Sequence, residues 1–370
     1  MIIKDEIHGT VGFSSLEERI IDHPDFQRLR RIRQMSITYL VYPGANHTRF
    51  EHSIGTSYLS RMMARKLGLD GDEAEKVKLS GLLHDIGHAA FSHEGEDVLQ
   101  GHLGSHEEIG RKKILRGGLS DIISENYRPG EITELRKPYG NIIESDLGSD
   151  RMDYLKRDAL NTGVAYGIID IDRIVHTLCM EGGQLCIEEG GLEAAEYLLI
   201  ARFMMFSTVY MHKTVRIATA MLYRAIEKSI SDKTLQPEEF LELGDESALM
   251  KMGQSPEGGG YAKALLDRTL YKEVCSFPKQ QFSENTEKEL SEKLGCDIIV
   301  DRPREFFKPV NLKVKTDRGL EPVSEISKLV QSLKLAEEER MKVLVLADEK
   351  TRKERRAEIR KSVNDCLAGD

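Results

Sequence analysis

Residues 82–88 read LLHDIGH, an apolar run that carries two histidines and an aspartate. Around it, Val77, Leu79, Leu82, Leu83 and Ile86 make residues 72–92 almost wholly apolar, which predicts a buried helix. Polar His84, Asp85 and His88 inside such a helix are costly unless something compensates them. A hydrogen-bonded core network is one compensation, and a metal ion is another. Adjacent residues on a helix point about 100° apart, so His84 and Asp85 can share an ion only as two corners of its shell. His52, in RFEHS, and Asp150, in GSDRMDYLKRD, are the best placed candidates for the remaining corners. Two imidazoles and two carboxylates form a mixed nitrogen/oxygen set suited to a divalent transition metal. Such a centre acts on a phosphate ester by polarising the phosphoryl oxygen and supplying a hydroxide.

A His-Asp pair alone occurs by chance in many proteins. The order His…His-Asp…Asp, with each residue on a predicted helix, is more specific, and the surroundings sharpen it further. His8, His23, His47, His52, His84, His88, His93, His102 and His106 crowd into the first 110 residues, leaving only two of the eleven histidines for the rest of the chain. His88 lies four residues after His84, on the same face of the predicted helix. Beyond Asp150, Tyr154, Arg157 and Asp158 follow at i+4, i+7 and i+8, one stripe of a helix. That stripe can line a pocket where a ring stacks and a carboxylate accepts a hydroxyl, although a surface helix has the same spacing. Arg202, Tyr210 and Lys213, with His212 at the edge, form a second stripe on a helix expected from about residue 192 to 230. Two cations and a phenol suit a polyphosphate, and a solvated face fits that spacing equally well. Arg49 adds a cation one turn before His52.

With 53 basic and 62 acidic side chains in 370 residues, the net charge is −9. That argues against a general nucleic-acid binder, while leaving room for a local positive pocket. The opening MIIKDEIHG is not a secretory signal, no apolar run approaches the roughly 20 residues of a membrane span, and a cytoplasmic protein is expected. The five cysteines are scattered and lack metal-knuckle spacing, so they read as reduced thiols.

Helical spacing predicts a helix, a break at Pro24 and a second helix within residues 15–36. Further helices are expected at 49–67, 103–115, 119–125, 150–160 and 170–179, with a hairpin at 184–189 ending in Gly190-Gly191. From about residue 295 the character changes: 297–301, 312–316 and 342–348 read as strands, with helices at 323–338 and 350–365. The expected fold is mainly α, a helical body over 1–290 with a small α/β region over 291–370.

Several blocks together carry a resemblance: IHGTVGF (7–13), DFQRLRRIRQM (25–35), VYPGANHTRFEHSIGTSYL (41–59), LLHDIGHAAFSHEGE (82–96), SHEEIG (105–110), SDRMDYLKRDAL (149–160) and VYMHKTV (209–215). The chain resembles the HD-domain phosphohydrolases, in particular the deoxynucleoside triphosphate triphosphohydrolase branch that includes the SAM-and-HD-domain protein. The likeness covers most of residues 1–216 and weakens towards 330, with no sterile-alpha-motif domain, so a minimal member is expected. It implies a metal held by His52, His84, Asp85 and Asp150, with His93 in the acid/base machinery and His88 and His106 near the phosphates. Glu96 stands where the family carries Asp, which keeps the carboxylate and lengthens its reach. Arg49, Arg151, Arg202, Tyr210 and Lys213 match positions that bind triphosphate or line the nucleotide pocket, Arg151 being Lys in the nearest pattern. Gln34, Tyr154 and Asp158 match positions that recognise the deoxyribose. Asp22, Gln27 and Arg30 match part of a regulatory guanine-nucleotide site at subunit interfaces.

The expected activity is therefore metal-dependent hydrolysis of a deoxynucleoside triphosphate to deoxynucleoside and triphosphate. The ion would be one divalent Fe, Mn, Ni or Zn, with additional Mg accompanying the nucleotide. A homo-oligomer, dimer or tetramer, is expected, with no membrane or nucleic-acid partner. The rival readings are a phosphodiesterase or nucleotide phosphatase of the wider superfamily, and a nucleotide-regulated binding protein with weak catalysis.

Overall fold

In the computed structural model, residues 1–135, 139–278, 286–303, 310–338 and 341–368 are described. The chain opens with an antiparallel hairpin, β1 (Ile2–Asp5) and β2 (Gly9–Gly12). Helices α1 (Ser15–Ile21) and α2 (Pro24–Arg28) follow, and the break expected at Pro24 is there: His23 caps the second helix and Pro24 occupies its first turn. Proline suits that place because its missing N–H would have no intrahelical partner anyway.

The helical body continues with α3 (Arg49–Lys66), α4 (Gly71–Leu83), α5 (Ser92–Leu103), α6 (His106–Leu115), α7 (Gly118–Ser124), α8 (Pro129–Thr133), α9 (Ser149–Thr162) and α10 (Ile171–Thr177). Two departures from the sequence reading matter. The apolar stretch 72–92 does not stay helical: α4 ends at Leu83, His84 is its C-cap, and residues 84–87 form turns. The second departure is α5, a helix that the periodicity did not mark.

The hairpin also lies elsewhere. It is β3 (Leu178–Glu181) with β4 (Gln184–Glu188), and the turn is Gly182-Gly183 rather than Gly190-Gly191. Both turn glycines have positive φ, 56° and 73°, which a two-residue hairpin loop of this kind requires. The single long helix expected from 192 to 230 is divided into α11 (Leu192–Met205), a π-helical turn (Phe206–Tyr210) and α12 (Lys213–Ser231).

Next come α13 (Asp245–Met252), α14 (Gly259–Leu266), β5 (Lys272–Pro278), α15 (Thr286–Leu294), β6 (Ile299–Asp301), β7 (Lys313–Thr316), β8 (Gly319–Pro322), α16 (Val323–Ile326), α17 (Lys328–Glu338), β9 (Lys342–Ala347) and α18 (Glu349–Ala368). The fold is mainly α, with a sheet-containing C-terminal region, as expected.

Two interleaved compact units make up the chain. One comprises Met1–Met205, Gln236–Ala248 and Pro309–Leu333; the other comprises Phe206–Leu235, Leu249–Lys308 and Lys334–Asp370. The boundary expected at residue 290 falls inside the second unit. In the first unit, β7 pairs in parallel with β4, so two C-terminal strands complete a sheet begun by the β3–β4 hairpin. Its core joins Ile20, Phe26, Leu29 and Ile32 to Phe50 and Ile54 on α3 and Leu79, Leu82 and Leu83 on α4. The second unit has its own core, formed where the sheet β5-β9-β6 meets Leu290 and Leu294 of α15 and Ile359 and Val363 of α18. Among the described residues, no helix is long and apolar enough to cross a membrane.

Candidate metal centre and histidine cluster

Helix α3 starts where the Glu51 carboxylate accepts from the Thr48 backbone N–H and, at 2.8 Å, from its hydroxyl. That start places Arg49 and His52 in the first turns, both buried. Helix α9 crosses α3 at Gly55, where a Cβ would collide with the Asp153 carboxylate and the Arg157 guanidinium. The absence of a side chain there is what lets the two helices approach.

Three segments thus converge. His52 Nε2 lies 3.2 Å from His84 Nε2, 3.0 Å from Asp150 Oδ1 and 3.7 Å from Asp85 Oδ2. His84 Nε2 lies 3.4 Å from Asp85 Oδ1 and 3.7 Å from Asp150 Oδ1. Donor atoms bound at about 2.0–2.2 Å to one ion sit about 3.0–3.5 Å apart as neighbours, so these spacings fit a shared divalent cation. The electrostatics agree with the spacing. Burial pushes the His52 imidazole down, yet Asp150 and Asp153 outweigh it and hold the ring up at about 10. Burial likewise opposes ionisation of Asp150, and the two histidines overcome it and hold its carboxyl well below the usual range. This pocket stabilises positive charge. His52, His84 and Asp85 form a group that could hold a metal ion, Asp150 Oδ1 lies within 3.7 Å of both imidazoles, and the chemistry of the four suits one.

The far nitrogen of each imidazole is also held. His84 Nδ1 pairs with the Gly81 carbonyl at 2.8 Å, and His52 Nδ1 pairs with Asp153 Oδ2 at 2.7 Å. Asp153 had no place among the expected site residues, although it lies three positions after Asp150 on the same helix. Arg49 braces the centre from the other side, with Nη1 on Asp85 Oδ2 at 2.6 Å and Nε on Ser92 Oγ at 2.9 Å.

A second group, His88, His93, Glu96 and His106, lies alongside. Asp85 Oδ1 is 3.4 Å from His88 Nε2 as well as from His84 Nε2, so one carboxylate touches both clusters. The turn after His84 packs on α6 because Gly87 has no Cβ to strike the His106 carbonyl. His88 then stacks on His106, with ring centroids 3.9 Å apart and planes 13° from parallel. His93 stands edge-on to both rings, its centroid 4.7 Å and 5.2 Å from theirs. Glu96 binds His106 Nδ1 at 2.9 Å, the His106 backbone N–H at 2.7 Å and His93 Nδ1 at 3.1 Å. Burial works against the Glu96 anion, but these contacts hold its carboxyl well below the usual range. Burial and then Arg49 keep His88 well below the ordinary histidine range, and hence neutral at pH 7.

The turn into this cluster is strained. Phe91 and Ser92 have φ of 67° and 54°, uncommon for residues with side chains. Asp245 holds it by accepting from the Phe91 N–H at 2.7 Å and the Arg33 N–H at 2.9 Å, while Ser92 Oγ donates to the Arg33 carbonyl at 2.7 Å.

The remaining expected residues are divided. Tyr154 places its ring edge-on to His52 at 6.5 Å between centroids, and Asp158 pairs with His47 Nε2 at 2.7 Å. Arg151 pairs with Asp146, and Arg202 Nη1 lies 3.8 Å from the same carboxylate. Among the described residues, Gln34 Oε1, Arg49 Nη2 and both ring nitrogens of His88 are buried without a hydrogen-bond partner. Tyr210, His212 and Lys213 belong to the second compact unit, where Lys213 lies 3.0 Å from Glu273. Of the expected regulatory trio, Arg30 donates to Gln27 at 3.0 Å and lies over the Phe50 ring, and Asp22 caps α1.

Comparison with known proteins gives the family. A family model described as HD domain matches residues 49–158, and one described as HD associated region matches residues 169–368. An uncharacterized protein of Methanocaldococcus jannaschii is 37% identical over 99% of this chain and 83% of its own. The Dictyostelium discoideum homolog of the deoxynucleoside triphosphate triphosphohydrolase SAMHD1 is 30% identical, over 80% of this chain and 65% of its own. A crystal structure of a hypothetical protein from Aquifex aeolicus superposes with a TM-score of 0.83 at 31% identity, covering 97% of this chain and 99% of that one. The chain belongs to the HD-domain phosphohydrolase family that carries the HD-associated region, and it resembles the triphosphohydrolase branch.

Proposed function

We propose that this protein hydrolyses deoxynucleoside triphosphates to deoxynucleoside and inorganic triphosphate, with a divalent Fe, Mn, Ni or Zn held by His52, His84, Asp85 and Asp150. The observation that carries the reading is the contact of one carboxylate, Asp85, with both a cation-stabilising donor set and a proton-handling histidine cluster. The kinship with a triphosphohydrolase homolog supports the choice of substrate. When bound, the ion supplies Lewis acidity and lowers the pKa of a water.

The rest is the work of the chain. Arg49 is held at two of its nitrogens, and its buried Nη2 offers a donor to a phosphate oxygen. His93 is tied to Glu96 through Nδ1, so Nε2 is the nitrogen it presents. Its side chain is 56% exposed while His88 is fully buried, which makes His93 the member able to meet a substrate and protonate the leaving 5′-oxygen. Glu96 orients the His93 and His106 rings through their Nδ1 atoms, and His106 lines the phosphates with His88 stacked behind it. Arg151 and Arg202 add positive charge beside Asp146. Gln34, Tyr154 and Asp158 receive the deoxyribose. The same reading makes the protein a cytoplasmic homo-oligomer, with Asp22, Gln27 and Arg30 contributing to an activating nucleotide site.

Ion chromatography of reactions with Mn²⁺, Mg²⁺ and each dNTP, with and without GTP, tests the proposal. Triphosphate release is expected. Orthophosphate or pyrophosphate as the sole inorganic product would transfer the chain to a phosphatase or phosphodiesterase reading, and no product with any dNTP would sink the activity.

A further inference from the structure

Behind the metal centre lies a buried ionic network that no reaction step uses. Asp153 is fully buried, and four donors surround its carboxylate: His52 Nδ1 at 2.7 Å and Arg157 Nε at 2.9 Å on Oδ2, with His8 Nε2 at 2.7 Å and Arg157 Nη2 at 2.9 Å on Oδ1. His8 comes from the turn of the N-terminal hairpin. Asp5 shapes that turn by accepting from the Ile7 and His8 backbone N–H groups at 2.9 and 2.8 Å, and its other oxygen lies 3.0 Å from Arg157 Nη1. The His8 ring also packs at 5.0 Å on Tyr58 of α3. The hairpin is thereby tied to the helix that carries His52.

A network of this cost calls for a reason, since removing any one partner would strand a buried charge. The geometry supplies one. Asp150 and Asp153 lie one turn apart on α9 and address opposite nitrogens of the same ring, Asp150 at Nε2 and Asp153 at Nδ1. A carboxylate accepting from Nδ1–H fixes the tautomer that leaves Nε2 as the metal donor, fixes the ring's rotation and raises its basicity. His84 has only a neutral carbonyl at the equivalent place, so His52 is the more strongly directed of the two imidazoles.

We infer that Asp153, clamped by His8 of the N-terminal hairpin and by Arg157, is a positioning residue that aims His52 at the metal and sets the metal affinity of the centre. The inference rests on the metal-centre reading above. It makes residues 1–12, which contribute no ligand, part of that centre.

Equilibrium dialysis against Mn²⁺ without nucleotide tests it, together with melting of the metal-free proteins. Asp153→Asn is expected to raise the Mn²⁺ Kd by about 10- to 100-fold, and His8→Ala by at least about threefold. A purely structural network would lower the metal-free melting temperature and leave Kd unchanged. A folded Asp153→Asn protein with wild-type Kd overturns the inference. If that variant does not fold, the His8→Ala Kd decides in its place, and a wild-type value there overturns it equally. Wild-type protein that takes up no Mn²⁺ overturns the metal centre and this inference together. Wild-type protein that binds Mn²⁺ without hydrolysing any dNTP removes the proposed activity alone.

Discussion

The donor tetrad and the neighbouring histidine cluster share a loop and a carboxylate, yet they treat charge in opposite ways. Around His52, carboxylates outweigh burial and hold the imidazole up at about 10. A few ångströms away, burial and Arg49 drive His88 down, out of the range in which it could carry a proton at neutral pH. Exposure diverges too. In the tetrad, exposure runs from buried His52 and Asp85, at most 4%, to Asp150 at 34%, whereas the second cluster opens from buried His88 to His93 at 56%. A pocket that draws positive charge around a buried imidazole and carboxylate, with one open edge at Asp150, suits a resident ion. A cluster anchored at a neutral, buried ring and ending at an accessible one suits proton delivery to something that comes and goes.

Separating the two clusters by substitution tests that division, and the largest effect is expected in the tetrad. Asp85→Asn removes a donor and unpairs Arg49. Loss of bound Mn²⁺ and a fall in triphosphate release of about 10⁴-fold or more are expected, since an absent ion forfeits several kcal/mol of charge stabilisation. Retention of stoichiometric metal and activity would mean that the tetrad is not the metal centre. His93→Gln should cost less, about 10²- to 10³-fold in kcat, a range typical of a lost general acid, with metal content unchanged. Metal loss on substituting His93 would merge the clusters into one site and end the comparison.

Much of the tetrad was legible because its members are rare polar residues in apolar or helical segments. His84-Asp85 stands out in LLHDIGH whether or not the helix continues, and it does not, since α4 stops at Leu83. Hydrophobic content alone carried the longer helix, and the turn over Gly87 that brings His88 onto His106 depends on a tertiary contact. Asp153 could have been noticed from its spacing to Asp150, one helical turn away. His8 and Asp245 carried no local signal. Each acts through a contact more than 140 residues distant, with Asp153 and Phe91 respectively. The same limit hid the pairing of β7 with β4, and with it the interleaving of the two units. The strands at 313–316 and 342–347 were readable as strands, but period-2 alternation does not say which sheet a strand joins.

Asp245 offers the finest cut between the clusters, because it ties the strained Phe91-Ser92 turn that leads to His93 to the Arg33 backbone and touches none of the four donors. Burial pushes its carboxyl up to about 6, and the two backbone N–H groups and Arg33 only partly resist. A carboxyl raised in the folded state contributes stability that is complete below the unfolded pKa of about 4 and is lost as pH rises through about 6. Asparagine at this position accepts from the same turn but does not titrate. Between pH 4 and 7, the stability of Asp245→Asn relative to wild type should therefore improve by about 2–3 kcal/mol, read from urea midpoints. The Mn²⁺ affinity should stay at the wild-type value throughout, since none of the four donors touches this carboxylate. Parallel pH curves for the two proteins would show that Asp245 is not held near 6, and a shifted Mn²⁺ affinity would show that the turn supports both clusters.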